Sequence, residues 1–115
     1  MKILFILNDA PYGSDKNYNA LRTALQFQKQ YPDAKIWIYL MRDSVTGALS
    51  GQKEKASQYS IGDMLTNIIL HGGEVKLCTS CAETRGVNTI IEGAVLGTLP
   101  DLTKWIAESD KALNF

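Results

Sequence analysis

Both cysteines of this chain fall in one four-residue segment, Cys78-Thr79-Ser80-Cys81. The reactive form of cysteine is the thiolate, and a free thiol with a pKa near 8.5 is only about 3% ionised at pH 7. Lowering the pKa to about 7 raises that fraction to about half. The start of a helix favours the anion, because its first N–H groups lack partners and the positive end of its dipole lies there. The pair sits at such a point. Glu74 to Cys78 reads as a strand, and Ser80-x-x-Glu83 has the spacing of a capping box that opens a short helix closing at Gly86. That reading places Cys81 at the first helical position and Cys78 just ahead of it, so it predicts Cys81 as the more activated thiol. Arg85 adds positive charge if its side chain folds back; otherwise it is a surface arginine. The plainer alternative is that both cysteines are small buried hydrophobes. Cys-x-x-Cys spacing on a strand-to-helix turn weighs towards function.

Other chemistries find less support. Two cysteines and His71 fall short of the four ligands of a structural zinc site, and His71 at a helix end is expected to interact with terminal carbonyls. No metal and no cofactor are expected. The chain has no Gly-x-Ser-x-Gly elbow, no Gly-x-Gly-x-x-Gly fingerprint and no Walker loop. Asp9 and Asp15 read as turn and cap residues rather than a carboxylate pair.

The elements that position the thiols follow from the pattern. Lys2 to Leu7 and Lys35 to Met41 are apolar runs, as expected of strands buried on both faces. Asn8-Asp9-Ala10-Pro11-Tyr12-Gly13 is dense in turn formers. Ser14 is expected to cap a helix with Asp15 in its first turn and with Tyr18, Leu21, Ala24 and Leu25 on its inner stripe, ending before Pro32. Arg42 to Tyr59 is polar and glycine-containing; it is a solvated excursion, a functional or mobile loop, or a cover for a short helix. Ile61, Met64, Leu65, Ile68 and Ile69 recur with helical period until Gly72-Gly73. Ile90 to Leu96 reads as a fourth strand or a helical turn. Pro100 suits the first turn of a last helix with Leu102, Trp105 and Ile106 buried, and Lys111 to Phe115 reads as an edge strand. Alternation of strand and helix predicts an α/β domain with a mainly parallel five-stranded sheet spanning residues 1–115. In such sheets ligands gather beyond the carboxyl ends of strands. The Asn8–Gly13 loop and the Cys78–Cys81 loop both lie there.

Composition narrows the function. Twelve Lys+Arg balance twelve Asp+Glu, and 45% of the 115 residues are hydrophobic. Disorder needs the opposite balance, and a nucleic-acid binder usually carries a basic excess. No apolar run reaches the roughly 18 residues of a spanning helix. The short run after Met1 lacks a cleavage site, so a cytoplasmic location is expected, where the cysteines stay reduced. Trp37, Tyr39 and Trp105 read as core.

Asn8-Asp9-Ala10-Pro11-Tyr12-Gly13 followed by Tyr18, Ala20, Leu21 and Arg22 resembles the opening of the DsrE/DsrF-like family. Cys78-x-x-Cys81-x-x-x-Arg85-Gly86 resembles its cysteine loop, in the small single-domain, YchN-like branch. The ending from Ala107 to Phe115 is similar as well, so the resemblance spans essentially the whole chain. It implies a three-layer α/β/α sandwich around a five-stranded, mainly parallel sheet. It also implies assembly as a homotrimer or homohexamer, and a role in sulfur relay. In that role a cysteine takes sulfane sulfur from a donor protein as a persulfide and passes it to an acceptor protein. Counting back from Arg85-Gly86, the resemblance assigns the acceptor thiol to Cys78 and a supporting role to Cys81. Asn8, Pro11, Tyr12, Gly13 and Arg85 become the candidate binding residues. Helix-terminus physics, by contrast, favours Cys81. Two other functions stay in play. One is thiol–disulfide redox exchange by Cys78 and Cys81, although a Trp before the pair and a Pro within it are missing. The other is a non-catalytic oligomeric binding protein with structural cysteines.

Overall fold

In the computed structural model, residues 1–52 and 60–115 are described. Five strands, β1 (Lys2–Leu7), β2 (Lys35–Leu40), β3 (Glu74–Cys78), β4 (Val95–Gly97) and β5 (Lys111–Asn114), form one sheet in the order β4-β3-β2-β1-β5, with every pairing parallel. Parallel neighbours need crossover connections, and the helices supply them. They are α1 (Lys16–Gln30), α2 (Ile61–Leu70), α3 (Thr79–Thr84) and α4 (Leu99–Glu108). The α/β/α expectation holds.

Strand alternation divides the core in two. Ile3, Phe5, Leu7, Ile36, Ile38, Leu40, Val75 and Leu77 face α1 and α2, which add Ala20, Leu21, Ala24, Leu65 and Ile68. The opposite face holds a smaller, aromatic cluster: Leu4, Trp37 and Tyr39 with Leu102 and Trp105 of α4. There the Trp37 and Trp105 rings stack at 5.1 Å, and the Tyr39 ring meets Trp105 edge-on. Polar ties fix the first layer. Gln28 Nε2 donates to the Ile68 carbonyl across the α1–α2 contact, and the fully buried Asn17 donates to the Asp9 carbonyl.

Several local expectations need correction. Asp15, not Ser14, occupies the N-cap of α1, and its side chain makes no capping bond. Tyr18 is only half-buried, and Asn17 and Ala20 complete the inner stripe. Of the alternatives for the segment after β2, the short helix is the one found. The segment opens with a 3-10 helix, Arg42–Ala48, in which Ser44, Val45, Gly47 and Ala48 are buried. The Ser44 hydroxyl donates to the carbonyls of Leu7 and Met41, which lets a polar residue sit in the core. The rest of that expected loop, residues 53–59, lies outside the described residues. Ile106 is 44% exposed rather than buried. Within Ile90–Leu96, Ile90 makes an isolated antiparallel bridge to Leu49, and the fourth strand starts only at Val95. The start of α4 matches its expectation and adds a full capping box. Thr98 Oγ1 accepts from the Asp101 amide, and the Asp101 carboxylate accepts from the Thr98 amide.

Candidate functional site

Along β3, Val75 and Leu77 point into the larger core, so Glu74, Lys76 and Cys78 share the opposite face. Glu74 accepts from Trp37 Nε1, Lys76 lies over the Trp105 ring, and Cys78 packs beside the aromatic cluster. The chain then turns into α3 with no linker. Cys78 is itself the N-cap, and Cys81 is the third residue of the helix. This corrects the expected capping box. Ser80 and Glu83 do not cap the helix, and Cys81 is not its first residue. The Thr79 hydroxyl donates instead to the Gly97 carbonyl at 2.7 Å, tying the start of α3 to β4.

The two-residue displacement reverses the expected order of the thiols. Partial burial pushes the Cys78 thiol up, but hydrogen bonds outweigh it. The donors are the Ser80 hydroxyl, the Cys81 thiol and the backbone amides of Cys81 and Ser80, and the net direction is down. The Ser80 Oγ lies 3.3 Å from the Cys78 sulfur. Burial pushes Cys81 up as well, and its bond to Cys78 adds to that. A bond from the Arg42 amide and the charge of Arg85 offset this only in part. Tyr39, buried beside both thiols, is pushed up to about 12, chiefly by desolvation and then by the neighbouring Cys78 charge. It therefore stays a donor, to the Thr98 carbonyl at 2.8 Å.

Cys81 is held from behind. Arg85 folds back as its expected role requires. It donates to the Cys81 carbonyl at 3.2 Å and pairs with Asp43 at 2.8 Å. Arg42 has φ +52, the left-handed region that side chains other than glycine seldom enter. Arg42 and Asp43 escaped the sequence reading. The signal was there: both directly follow a strand's carboxyl end, the position that singled out the other two loops.

Cys78 and Cys81 open into a cavity of about 460 Å³ whose wall includes Tyr39, Met41, Glu83, Thr98 and Leu99. It lies beyond the carboxyl ends of β3 and β4. Both thiols are half-buried, so neither is sealed into the core. The first loop builds a separate cavity of about 380 Å³, with Asn8, Asp9, Tyr12, Gly13, Arg42 and Asp43 in its wall. Asp43 in that wall reaches the thiol loop through its pair with Arg85, which donates to the Cys81 carbonyl. The candidate binding residues thus divide. Tyr12 and Gly13 line the second cavity; Asn8 does too, but its amide is spent on Asn114 and the Phe115 carbonyl. Tyr12 Oη accepts from the Ile61 amide at the start of α2. Pro11 is buried near Gly47 and lines neither cavity. His71 lies 2.7 Å from the Asn67 carbonyl at the end of α2, as expected. Among the described residues no group of three or more His, Cys, Asp or Glu is arranged to hold a metal ion, and no helix is long and apolar enough to cross a membrane.

Comparison with known proteins gives matches over the whole chain. The model of the DsrE/DsrF-like family matches residues 1–115. Protein YchN of Escherichia coli strain K12 is 39% identical over 116 residues, covering 99% of this chain and 98% of its own. A protein of Methanopyrus kandleri, MK0008, is 35% identical and covers 98% and 93% of the two chains. The crystal structure of the E. coli YchN protein superposes with a TM-score of 0.95 at 38% identity, covering 100% of this chain and 99% of that one.

Proposed function

This chain belongs to the DsrE/DsrF-like family, and from that premise we propose that it is an intracellular sulfur-relay protein carrying sulfane sulfur as a persulfide on Cys78. Family membership suggests sulfur relay in general; the choice of thiol rests on the site. The observation that carries it is the Ser80 hydroxyl 3.3 Å from a Cys78 sulfur that faces an open cavity, with hydrogen-bond donors holding that thiol below its ordinary range. Those donors stabilise the thiolate that must attack. They also stabilise it as the leaving group when an acceptor thiolate takes the outer sulfur away. Cys81, bonded to Cys78, supplies a proton to that sulfur and stands ready as a resolving thiol. Repeated transfer between two partners would make the protein sulfurtransferase-like.

The test is intact-protein mass spectrometry after brief exposure to a sulfane-sulfur donor. Wild type and Cys81→Ser should each gain one sulfur atom, reversibly with reductant, and Cys78→Ser should gain none. Uptake undiminished in Cys78→Ser would overturn the assignment. The two thiols in the wall of one cavity support a second reading, dithiol–disulfide exchange. Its signature is loss of a pair of hydrogens under oxidant with no sulfur gained.

We also propose assembly into a homotrimer or homohexamer. The exposed Val95, Leu96, Leu99 and Ile106 on β4 and α4 support it. Sedimentation of the whole protein as a 12.7 kDa monomer at all concentrations would contradict it.

A further inference from the structure

The cavity beside the first loop has spare hydrogen-bonding capacity of one kind only. It measures about 380 Å³, a size that suits a small organic ligand. It lies beyond the carboxyl ends of β1 and β2, where ligands of parallel sheets gather. Its wall holds two carboxylates, and each already has a cation. Asp9 pairs with Lys16 at 3.4 Å, and Asp43 with Arg85 at 2.8 Å. The hydroxyls of the wall are engaged as acceptors. Tyr12 Oη accepts from the Ile61 amide at 3.2 Å, and Ser14 Oγ accepts from the Lys16 amide at 3.4 Å. Each therefore keeps its own hydrogen to give. Arg42 is the remaining cation of the wall, and among the described residues its guanidinium meets no acceptor.

Arg42 is also the residue whose backbone is strained. Its φ of +52 is one that glycine adopts freely and that a side chain occupies at a cost. An arginine that only had to stay hydrated would gain nothing from such a backbone. The surrounding structure enforces it, because the Ser44 hydroxyl ties the start of the 3-10 helix to the carbonyls of Leu7 and Met41. Strain of this kind, held in a cavity wall, is characteristic of a positioned binding group.

We propose that this cavity binds the carboxylate of a small organic monoanion, with Arg42 as its anchor and the Tyr12 and Ser14 hydroxyls as further donors. A guanidinium offers two parallel N–H groups that match the two oxygens of a carboxylate. The uncompensated charge of the wall is the single positive charge of Arg42, so one negative charge completes it. A dianion such as sulfate would bring a second negative charge against Asp9 and Asp43. The volume beyond the carboxylate takes the organic stem. Neither thiol takes part, so the site stands apart from the carrier reading.

The test is a titration of the whole protein near neutral pH, followed by NMR shifts of the backbone amides and the Arg42 Nε–H. The probes, at equal ionic strength, are N-acetylglycine, its neutral twin N-acetylglycinamide, and sulfate. N-acetylglycine should shift the Arg42 Nε–H and the amides of the Asn8–Ser14 loop to saturation. The neutral twin should not, and sulfate should bind several-fold more weakly. Arg42→Gln should weaken binding of N-acetylglycine by about tenfold or more. Arg42→Lys, which keeps the charge without the fork, should weaken it less. Urea unfolding tests the strain. Arg42→Gly should unfold at a higher urea concentration than Arg42→Ala, since only glycine takes this backbone freely. No saturable shift with N-acetylglycine, equal shifts with the neutral twin, tighter binding of sulfate, or binding untouched by Arg42→Gln would each overturn the proposal. Arg42→Ala as stable as Arg42→Gly would remove the strain and, with it, the reason for choosing Arg42 as the anchor. Sulfur uptake is not read in any of these measurements, so failure here leaves the carrier reading standing, and failure of the carrier reading leaves this site standing.

Discussion

The two faces of the sheet are built differently, and the two thiols divide between them. On one face α1, α2 and the 3-10 helix bury a broad aliphatic core, against which Cys81 packs. On the other, α4 covers a small cluster of stacked and edge-on rings, and Cys78 packs beside it. The broad face carries most of the buried apolar surface, which is what stabilises a fold. The narrow face leaves room at its end for the cavity. Stability and chemistry are therefore separable here, and Cys81 lies on the more heavily packed side.

That contrast can be broken at the broad face first. Phe5 is fully buried and packs against the rings of Phe27 and Phe115. Phe5→Ala should cost about 4 kcal/mol in urea unfolding. Where it still folds, the rate of Cys78 alkylation should be unchanged. Trp105→Ala should cost somewhat less, about 3 kcal/mol, yet disturb Cys78, because it removes the ring that Tyr39 leans on. If Trp105→Ala left Cys78 reactivity untouched while Phe5→Ala altered it, the division of labour would fail. A smaller effect is expected at Gly97, the register partner of Cys78. A Cβ there would stand 3.2 Å from the Tyr39 ring. Gly97→Ala should cost about 2 kcal/mol from overpacking and slow entry of a bulky alkylating reagent more than a small one. The smallest change in stability belongs to Ser80→Ala, within about 0.5 kcal/mol, but it tests the electrostatics directly. A lowered pKa means that the thiolate persists to lower pH. Alkylation of wild-type Cys78, followed by peptide mapping against pH, should therefore reach half its maximum at a lower pH than alkylation of Cys81. Ser80→Ala removes a donor to the thiolate, so the Cys78 midpoint should move up towards that of Cys81. A midpoint that stayed fixed would remove Ser80 from the site.

The sequence was legible where burial is two-sided and periodic. Lys2–Leu7 and Lys35–Leu40 are nearly continuous apolar runs because helices cover both of their faces. Ile61 to Ile69 announces α2 because one side of that helix rests on the core. The parallel sense of the sheet followed from alternation alone. Legibility failed where small polar residues fold inward. Arg42–Ala48 looks like a surface loop by composition, yet Ser44 satisfies its hydroxyl on two carbonyls and disappears into the core. It failed again at the thiols, where the position of a single helix start decides which sulfur receives the amides. The residues were recognised and their expected acidities were exchanged, because Ser-x-x-Glu spacing suggested an N-cap at Ser80, whereas Cys78 holds that position. Ile106 was misjudged for a simpler reason. Leu102 and Trp105 already fill the seam beneath α4, and the next position turns outward.

The link between Asn8 and Phe115 has a consequence for how the chain is assembled. β1 is an interior strand, hydrogen-bonded on one side to β2 and on the other to β5. Phe115 donates to the Ile6 carbonyl, the Asn8 amide donates to the Phe115 carbonyl, and the Phe115 ring stacks on Phe5. On a ribosome, the β1–β2 pair can form early, but residues 111–115 emerge long after. Until they do, β1 presents a row of unpaired amides and carbonyls flanked by apolar side chains, the kind of open edge that recruits a neighbouring chain. Closing it joins positions 107 apart in sequence, a slow and late event in a search ordered by loop length. The strand that begins the fold is thus the one that waits longest to be finished, and nascent chains are most exposed to mispairing in that interval.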